Sequence, residues 1–157
     1  MSERFQTFDW FPFSRDYNPF QKNFKQVGWD QYEMGHADEI LGTMGISTCL
    51  AITLYDIERK LGALSHITGW LEAPEEMQPE NVIGTLLKQL SRDCRKLEAT
   101  LSGEGEEGKD RDRKSKIVRA KLNSYGIPII GEDLCLCERG RLVFLDCSAG
   151  KVDVYRA

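Results

Sequence analysis

The chain has 157 residues, of which 41% are hydrophobic and 29% charged, so it can bury the core of one globular domain but leaves no room for a second. No run approaches the roughly eighteen apolar residues of a membrane span, and the N-terminus lacks a basic-then-apolar signal pattern, so we expect a cytoplasmic protein without membrane insertion. The net charge of −4 argues against binding to nucleic acid.

Residues 1–35 are expected to form an aromatic-rich N-terminal arm. They contain ten of the fifteen aromatic residues of the chain and show neither helical nor strand periodicity. Such an arm either wraps around the domain and buries its rings or presents them to a partner. The sequence favours wrapping without excluding docking.

Residues 36–157 are expected to form the folded domain, and its first regular part is a β-hairpin. The segment "EILGT" predicts a short strand, and "CLAITLYD" and "KLGALSHI" predict two strands joined by a turn. A turn centred between Ile57 and Glu58 would pair residues whose numbers sum to 115, which places Cys49 opposite His66. A shift of one residue in this register would separate the two side chains.

The second half mixes helices and strands. A helical face with three-and-four spacing is predicted from Ile83 to Leu101, followed by a charged loop over residues 102–115. A shorter helix over residues 117–125 should end at Gly126, before the strand "IPII" and a final hairpin in "RLVFLDCSAGKVDVYR". Short connections favour antiparallel pairs, so the predicted fold class is α/β in the α+β sense: a layered sandwich of mixed, largely antiparallel sheet with flanking helices.

Cys49 and His66 are the candidate catalytic pair. A histidine within hydrogen-bond distance can supply the thiolate that makes a cysteine a nucleophile. Thr43 could hold the imidazole, while the turn before Cys49, with Ser47 and Thr48, could direct donors toward an oxyanion. A buried pair with only a packing role is the alternative, and spacing alone favours that alternative.

The other cysteines suggest no cofactor. Five cysteines in a chain of ordinary size do not form a disulfide framework and are expected to be reduced. Cys135 and Cys137 form a C-x-C pair, but no second pair follows at the spacing of a zinc site. We therefore expect neither a metal nor an organic cofactor.

The segments "ILGTMGISTCLAITLYD", "KLGALSHI", "GIPIIGEDL" and "GRLVFLDCSAGKVDVYR" resemble, in order, the chemoreceptor glutamine deamidase family CheD. The resemblance implies a CheD-like cysteine hydrolase fold. It also implies a catalytic group of Cys49, His66 seventeen residues later, and Thr43 six residues before the cysteine. The expected substrates are glutamines on the cytoplasmic helices of chemoreceptors, and a CheC-like phosphatase is an expected partner.

Several segments depart from the family pattern. Ser47 and Thr48 stand where Gly and Ser are usual, "SHITGWL" replaces "AHFMLP", and "RDRKSK" lacks Gly-x-Arg-Asn. The resemblance therefore supports glutamine deamidation as the reaction better than it supports chemoreceptors as the substrate. Two alternatives remain open: a deamidase of a different protein, and a catalytically idle binding module of the same fold.

Overall fold

Two five-stranded sheets pack face to face in the computed structural model, which describes residues 3–9, 23–90, 96–104, 112–135, 137 and 140–156. The strands are β1 (Phe5–Asp9), β2 (Lys25–Gln26), β3 (Gln31–His36), β4 (Ile40–Met44), β5 (Leu50–Asp56), β6 (Leu61–Ile67), β7 (Leu97–Gly103), β8 (Ile129–Asp133), β9 (Arg141–Asp146) and β10 (Lys151–Arg156). The helices are α1 (Val82–Leu90) and α2 (Arg113–Ser124).

The first sheet has the order β1-β10-β9-β4-β2 and the second the order β3-β6-β5-β7-β8. Parallel pairing joins β1 to β10, β2 to β4 and β7 to β8, and the remaining neighbours are antiparallel. The predicted fold class, a layered sandwich of mixed and largely antiparallel sheet with flanking helices, is therefore confirmed.

Two apolar cores explain why the central strands are buried throughout. One core lies between the sheets and includes Leu41, Ala51, Leu64 and Val143. The other lies between the second sheet and the two helices. Strand β5 contributes to both cores, because successive side chains of a strand point to opposite faces. A strand covered on both faces therefore shows a continuous apolar run, as "LAITLYD" does.

The prediction of a helical face extending to Leu101 is wrong. Helix α1 is described from Val82 to Leu90, whereas Leu97 and Leu101 lie on β7, a strand in the interior of the second sheet. Cys94, which the same pattern placed on the helix, lies outside the described residues. Leu97, Ala99 and Leu101 also alternate at strand spacing, and all three contact the core under the helices. A short apolar run fits both periods, and tertiary packing decides between them.

The predicted charged loop over residues 102–115 is shorter than expected. Ser102 and Gly103 end β7, and α2 begins at Arg113, so both ends of the predicted loop belong to regular elements. Residues 105–111 lie outside the described part of the chain. Glu104, which the sequence suggests is solvated, is buried. Its carboxylate accepts backbone N–H groups from Lys114 (2.5 Å) and Ser115 (2.7 Å) and so caps the N-terminus of α2.

Strands also occur within residues 1–35, where the sequence predicts an arm without strand periodicity. Strand β1 pairs with β10, β2 with β4, and most of β3 precedes residue 36. These strands lie at sheet edges or are very short, so each has weak periodicity of its own. Phe5 is buried against Gly131, and Phe24 packs edge-on against Phe144 at 5.3 Å. Five of the ten aromatic residues, between positions 10 and 20, lie outside the described residues.

The C-terminal predictions are confirmed. Helix α2 ends at Ser124, and Gly126 follows in the left-handed region at φ 70°, as a glycine after a helix end commonly does. Strands β9 and β10 form the predicted final hairpin. Within the described residues, no helix is both long and apolar enough to cross a membrane.

Candidate active site

A hydrogen bond between the two sheets marks the candidate site. Thr43 lies on β4 of the first sheet, and His66 lies near the end of β6 in the second. The Oγ1 of Thr43 is 2.8 Å from Nδ1 of His66, and both residues are buried. The structure thus brings the Thr43 hydroxyl to the imidazole that the sequence predicts it could hold.

The partners of Thr43 determine the tautomer of the imidazole. Thr43 Oγ1 donates its single proton to the carbonyl oxygen of Val27, at 2.8 Å. The hydroxyl must then accept at the histidine, so Nδ1 of His66 carries the proton and donates it. Nε2 is left with its lone pair, and among the described residues it has no hydrogen-bond partner.

Burial keeps the ring neutral. Desolvation lowers the pKa of His66 to about 4, although the carboxylate of Asp30 acts in the opposite direction. At neutral pH the ring is therefore uncharged, and Nε2 is available as a proton acceptor. This is the state that a general base requires before reaction.

The predicted pairing of Cys49 with His66 is wrong by two residues. Ala51 lies opposite His66, and Leu50 lies opposite Ile67, so paired residues sum to 117 rather than 115. Four residues, 57–60, form the turn, in which Asp56 Oδ1 accepts the Arg59 N–H at 3.0 Å and Lys60 has a φ of 50°. A shift of two preserves the face, so Cys49 is a diagonal neighbour of His66 on the same side of the sheet.

The backbone of Cys49 is held by the end of β7. Cys49 immediately precedes β5, and the residue is 9% exposed. Its carbonyl oxygen accepts the N–H of Glu104 at 2.9 Å, which extends the β5–β7 ladder beyond the strands. Gly103, at φ 130°, lies so close that a Cβ there would meet the Cys49 carbonyl oxygen at 2.1 Å. Only glycine allows this approach.

The turn before Cys49 contains the two predicted oxyanion residues, Ser47 and Thr48. Gly45 has a φ of 73°, and the N–H of Ser47 donates to the Gly45 carbonyl at 3.1 Å. Ser47 is half-buried and Thr48 is exposed. The Ser47 N–H is thus already engaged within the turn.

A buried charge cluster supports this turn, and the sequence analysis missed it. Arg141 is fully buried; its carbonyl accepts the Ile46 N–H at 3.3 Å, and its Nη1 donates to the Ile46 carbonyl at 3.4 Å. Asp133 binds Arg141 Nε at 2.7 Å and Arg156 Nε at 3.1 Å. These two guanidinium groups lower the pKa of Asp133 despite its burial. An arginine directly before the buried strand "LVFL" was the available signal.

Hydrogen bonds of Asp30 fix the C-terminal end of β6. The N–H of Asp30 donates to the His66 carbonyl at 2.7 Å, and the Asp30 carboxylate accepts the N–H and hydroxyl of Thr68 at 2.9 and 2.7 Å. Beside this contact, Trp29 and Trp70 pack edge to face at 5.6 Å while remaining 61% and 54% exposed. An exposed tryptophan pair therefore adjoins the histidine end of the site.

Several known proteins with similar sequences carry the name "Probable chemoreceptor glutamine deamidase CheD". The Pyrococcus horikoshii protein is 30% identical over 148 residues, covering 81% of this chain and 88% of the relative. The Clostridium novyi protein is 30% identical over 154 residues, covering 80% and 92%. The Desulforamulus reducens protein is 29% identical over 151 residues, covering 82% and 88%. No protein-family model matches the chain.

The aligned regions extend over most of both chains, and similarity of this extent between sequences 30% identical indicates common descent. The resemblance to the CheD family is thereby confirmed over about four fifths of the chain. The chain belongs to the CheD family.

Proposed function

We propose that the protein is a protein-glutamine deamidase that acts on chemoreceptors with Cys49 as nucleophile, His66 as base and Thr43 as the group that orients the base. The proposal is supported by the names of the relatives and above all by one observation. Thr43 donates to Val27 and accepts from His66, so Nε2 of a neutral imidazole carries a lone pair and faces no partner among the described residues. A residue with only a packing role has no use for that arrangement.

The first half of the reaction forms a thioester. His66 Nε2 takes the proton from the Cys49 thiol, and the thiolate attacks the carboxamide carbon of a glutamine side chain. The carbonyl electron pair moves onto oxygen, and donors of the turn before Cys49, other than the engaged Ser47 N–H, stabilise the resulting charge. The C–N bond then breaks as His66 returns its proton to nitrogen, and ammonia leaves.

The second half consumes water. Neutral His66 removes a proton from a water molecule, whose oxygen attacks the thioester carbon. The C–S bond breaks, the thiolate recovers a proton from His66, and glutamate is released. The net reaction is glutamine plus water to glutamate plus ammonia, which requires no metal and no organic cofactor.

The proposed substrates are glutamines on the cytoplasmic helices of chemoreceptors, and the proposed compartment is the cytoplasm. A CheC-like phosphatase is a proposed regulatory partner. These proposals follow from the family, whose members carry chemoreceptors in their name.

A deamidase with another protein target is the second candidate. The exposed Trp29–Trp70 pair favours it, because Trp70 lies in "SHITGWL", one of the segments that depart from the usual family pattern. Exposed tryptophans that adjoin a site are typical anchors for a protein partner.

The test is peptide mapping of receptor cytoplasmic domains after incubation with the protein or with Cys49→Ala. The proposal predicts glutamine-to-glutamate conversion only with the wild-type protein. If receptors are unchanged but iodoacetamide alkylates Cys49 rapidly and His66→Ala slows this alkylation, the second candidate replaces the first. If Cys49 reacts no faster than an ordinary cysteine, the idle binding module replaces both.

A further inference from the structure

A second buried hydroxyl adjoins Cys49 on the side away from His66. Ala51 of β5 lies opposite His66 of β6 and, on its other side, opposite Ser102 of β7. The three residues therefore form a row across the second sheet, with Ala51 in the middle. Cys49 stands two residues before Ala51, so the cysteine has His66 and Ser102 as its diagonal neighbours.

The alternation of the strands places these side chains on one face. Ala51 and Cys49 belong to the core between the sheets, whereas Leu101 belongs to the core under the helices. Since adjacent residues of a strand point to opposite faces, Ser102 faces the same side as Ala51, Cys49 and His66. Ser102 is 1% exposed.

The hydroxyl of Ser102 has no partner among the described residues. The same holds for Nε2 of His66, on the other flank of Cys49. Burying a hydroxyl without a hydrogen bond destabilises a fold, so each such group in a native protein requires a reason. Two of them on either side of a candidate nucleophile suggest a common polar ligand.

A buried pair of threonine hydroxyls, one residue pair further from Cys49 along β5 and β7, contrasts with Ser102. Thr53 and Thr100, two residues further along the same strands and face, are directly opposed, and their hydroxyl oxygens are 2.5 Å apart. The fold thus satisfies buried hydroxyls that serve only packing. The Ser102 hydroxyl, by contrast, has no hydrogen-bond partner among the described residues.

We propose that Ser102 is a further catalytic residue, whose Oγ–H donates a hydrogen bond to the carboxamide oxygen of the substrate. This inference rests on the proposed function. When the Cys49 sulfur bonds to the carboxamide carbon, the departing nitrogen must face Nε2 of His66, which protonates it. The oxygen is then directed to the opposite flank, where Ser102 lies.

The hydrogen bond strengthens as the reaction proceeds. The carbonyl oxygen gains negative charge when the C–S bond forms, and a donor shielded from water stabilises that charge more than it stabilises the neutral amide. Ser102 keeps its proton throughout. It supplements the backbone donors of the turn and takes no part in proton transfer, which belongs to His66.

The test compares two reactions of Cys49 in the full chain. Acetylation by p-nitrophenyl acetate passes through an oxyanion, forms an acetyl thioester and releases p-nitrophenolate, whereas alkylation by iodoacetamide displaces iodide at a saturated carbon without an oxyanion. For Ser102→Ala we expect acetylation to slow by about 100-fold. Alkylation should stay within about twofold of the wild-type rate, because thiolate formation depends on His66.

Two variants serve as controls. Ser102→Thr retains the hydroxyl and should recover most of the acetylation rate. Thr100→Val removes the structural hydroxyl one row deeper and should lower the melting temperature without changing the ratio of the two rates. Alkylation near the wild-type rate also shows that Ser102→Ala is folded around Cys49.

The outcomes separate this proposal from the proposed function. Unchanged acetylation in Ser102→Ala, or equal losses in both reactions, would overturn the role of Ser102. A wild-type protein that is acetylated but deamidates no receptor glutamine would overturn the receptor target, while the ratio of the two rates would still decide the role of Ser102. A wild-type Cys49 that p-nitrophenyl acetate does not acetylate would overturn both.

Discussion

The hydroxyl of Thr43 and Nδ1 of His66 are 2.8 Å apart across the two sheets, and the Thr43 proton is already committed to the Val27 carbonyl. The imidazole therefore has one proton arrangement that satisfies both contacts, with Nε2 unprotonated. A single hydrogen-bond chain from Val27 to His66 thus leaves Nε2 in the state that the proposed general base requires.

Removing the hydrogen bonds that link Val27, Thr43 and His66 should impair the activation of Cys49. Thr43→Val keeps the shape of the side chain but loses both hydrogen bonds, so we expect the deamidation kcat to fall by roughly 10- to 100-fold. Thr43→Ser retains the hydroxyl and should retain most of the activity. The pH dependence of Cys49 alkylation provides the measurement. Equal alkylation rates for Thr43→Val and Thr43→Ser across pH 5 to 9 would contradict the orienting role.

The buried histidine should make the protein sensitive to mild acid. The pKa of His66 is about 4 in the folded protein, against a usual value of 6.5, so between these values the unfolded chain binds more protons. Stability must therefore fall as pH drops from 6.5 toward 4, with a loss of roughly 2 kcal/mol between pH 7 and pH 5. Urea unfolding at both pH values measures the loss. In His66→Gln this part of the pH dependence should disappear, and its persistence would refute the assignment.

The buried arginine should matter far more than an exposed one. Arg141→Met removes the guanidinium hydrogen bond to the Ile46 carbonyl and leaves Asp133 without one of its two arginines, which should lower stability by about 3 to 5 kcal/mol. Arg119→Met breaks the exposed pair with Glu132 and should cost less than about 1 kcal/mol. Urea denaturation compares the two variants. Similar losses in both would show that the buried cluster does not support the turn before Cys49.

Two glycines should respond to alanine in opposite directions. In Gly103→Ala the new Cβ would meet the Cys49 carbonyl oxygen, and the φ of 130° disfavours any side chain, so we expect a loss of about 2 to 4 kcal/mol and slower Cys49 alkylation. In Gly84→Ala, within α1, the nearest heavy atom is 4.0 Å from the new Cβ. That variant should gain about 0.5 to 1 kcal/mol. A Gly103→Ala protein as stable and reactive as wild type would contradict the close approach of β7 to Cys49.

The sequence predicts which hairpin residues share a face better than it predicts their register. The resemblance to the family singles out Thr43, Cys49 and His66 as the candidate group, but the hairpin pairing is shifted by two because the turn takes four residues. Asp56 stabilises that turn through a side-chain hydrogen bond, and Lys60 adopts a left-handed backbone there; the apolar pattern of the strands encodes neither feature. The register shift is an even number of residues, so the prediction that Cys49 and His66 lie on the same face of the hairpin still holds.

Other features depend on contacts distant in sequence. The spacing of Leu97 and Leu101 fits a helix and a strand equally well. The strand forms because β7 pairs with β5 on one side and with β8 on the other. Arg141 and Glu104 appear as surface charges, yet one binds the Ile46 backbone and the other caps α2. Charge in a sequence indicates exposure on average, and only the assembled fold provides the partners that make burial possible.

The central claim is that Cys49 converts glutamine side chains of chemoreceptors to glutamate. Its most direct test is mass spectrometry of purified receptor cytoplasmic domains incubated with the wild-type protein or with Cys49→Ala. We predict a gain of about one mass unit at particular glutamines with the wild-type protein and none with Cys49→Ala, because the amide NH2 is replaced by OH only through the thioester. Equal spectra for both proteins, without conversion at any glutamine, would contradict the account.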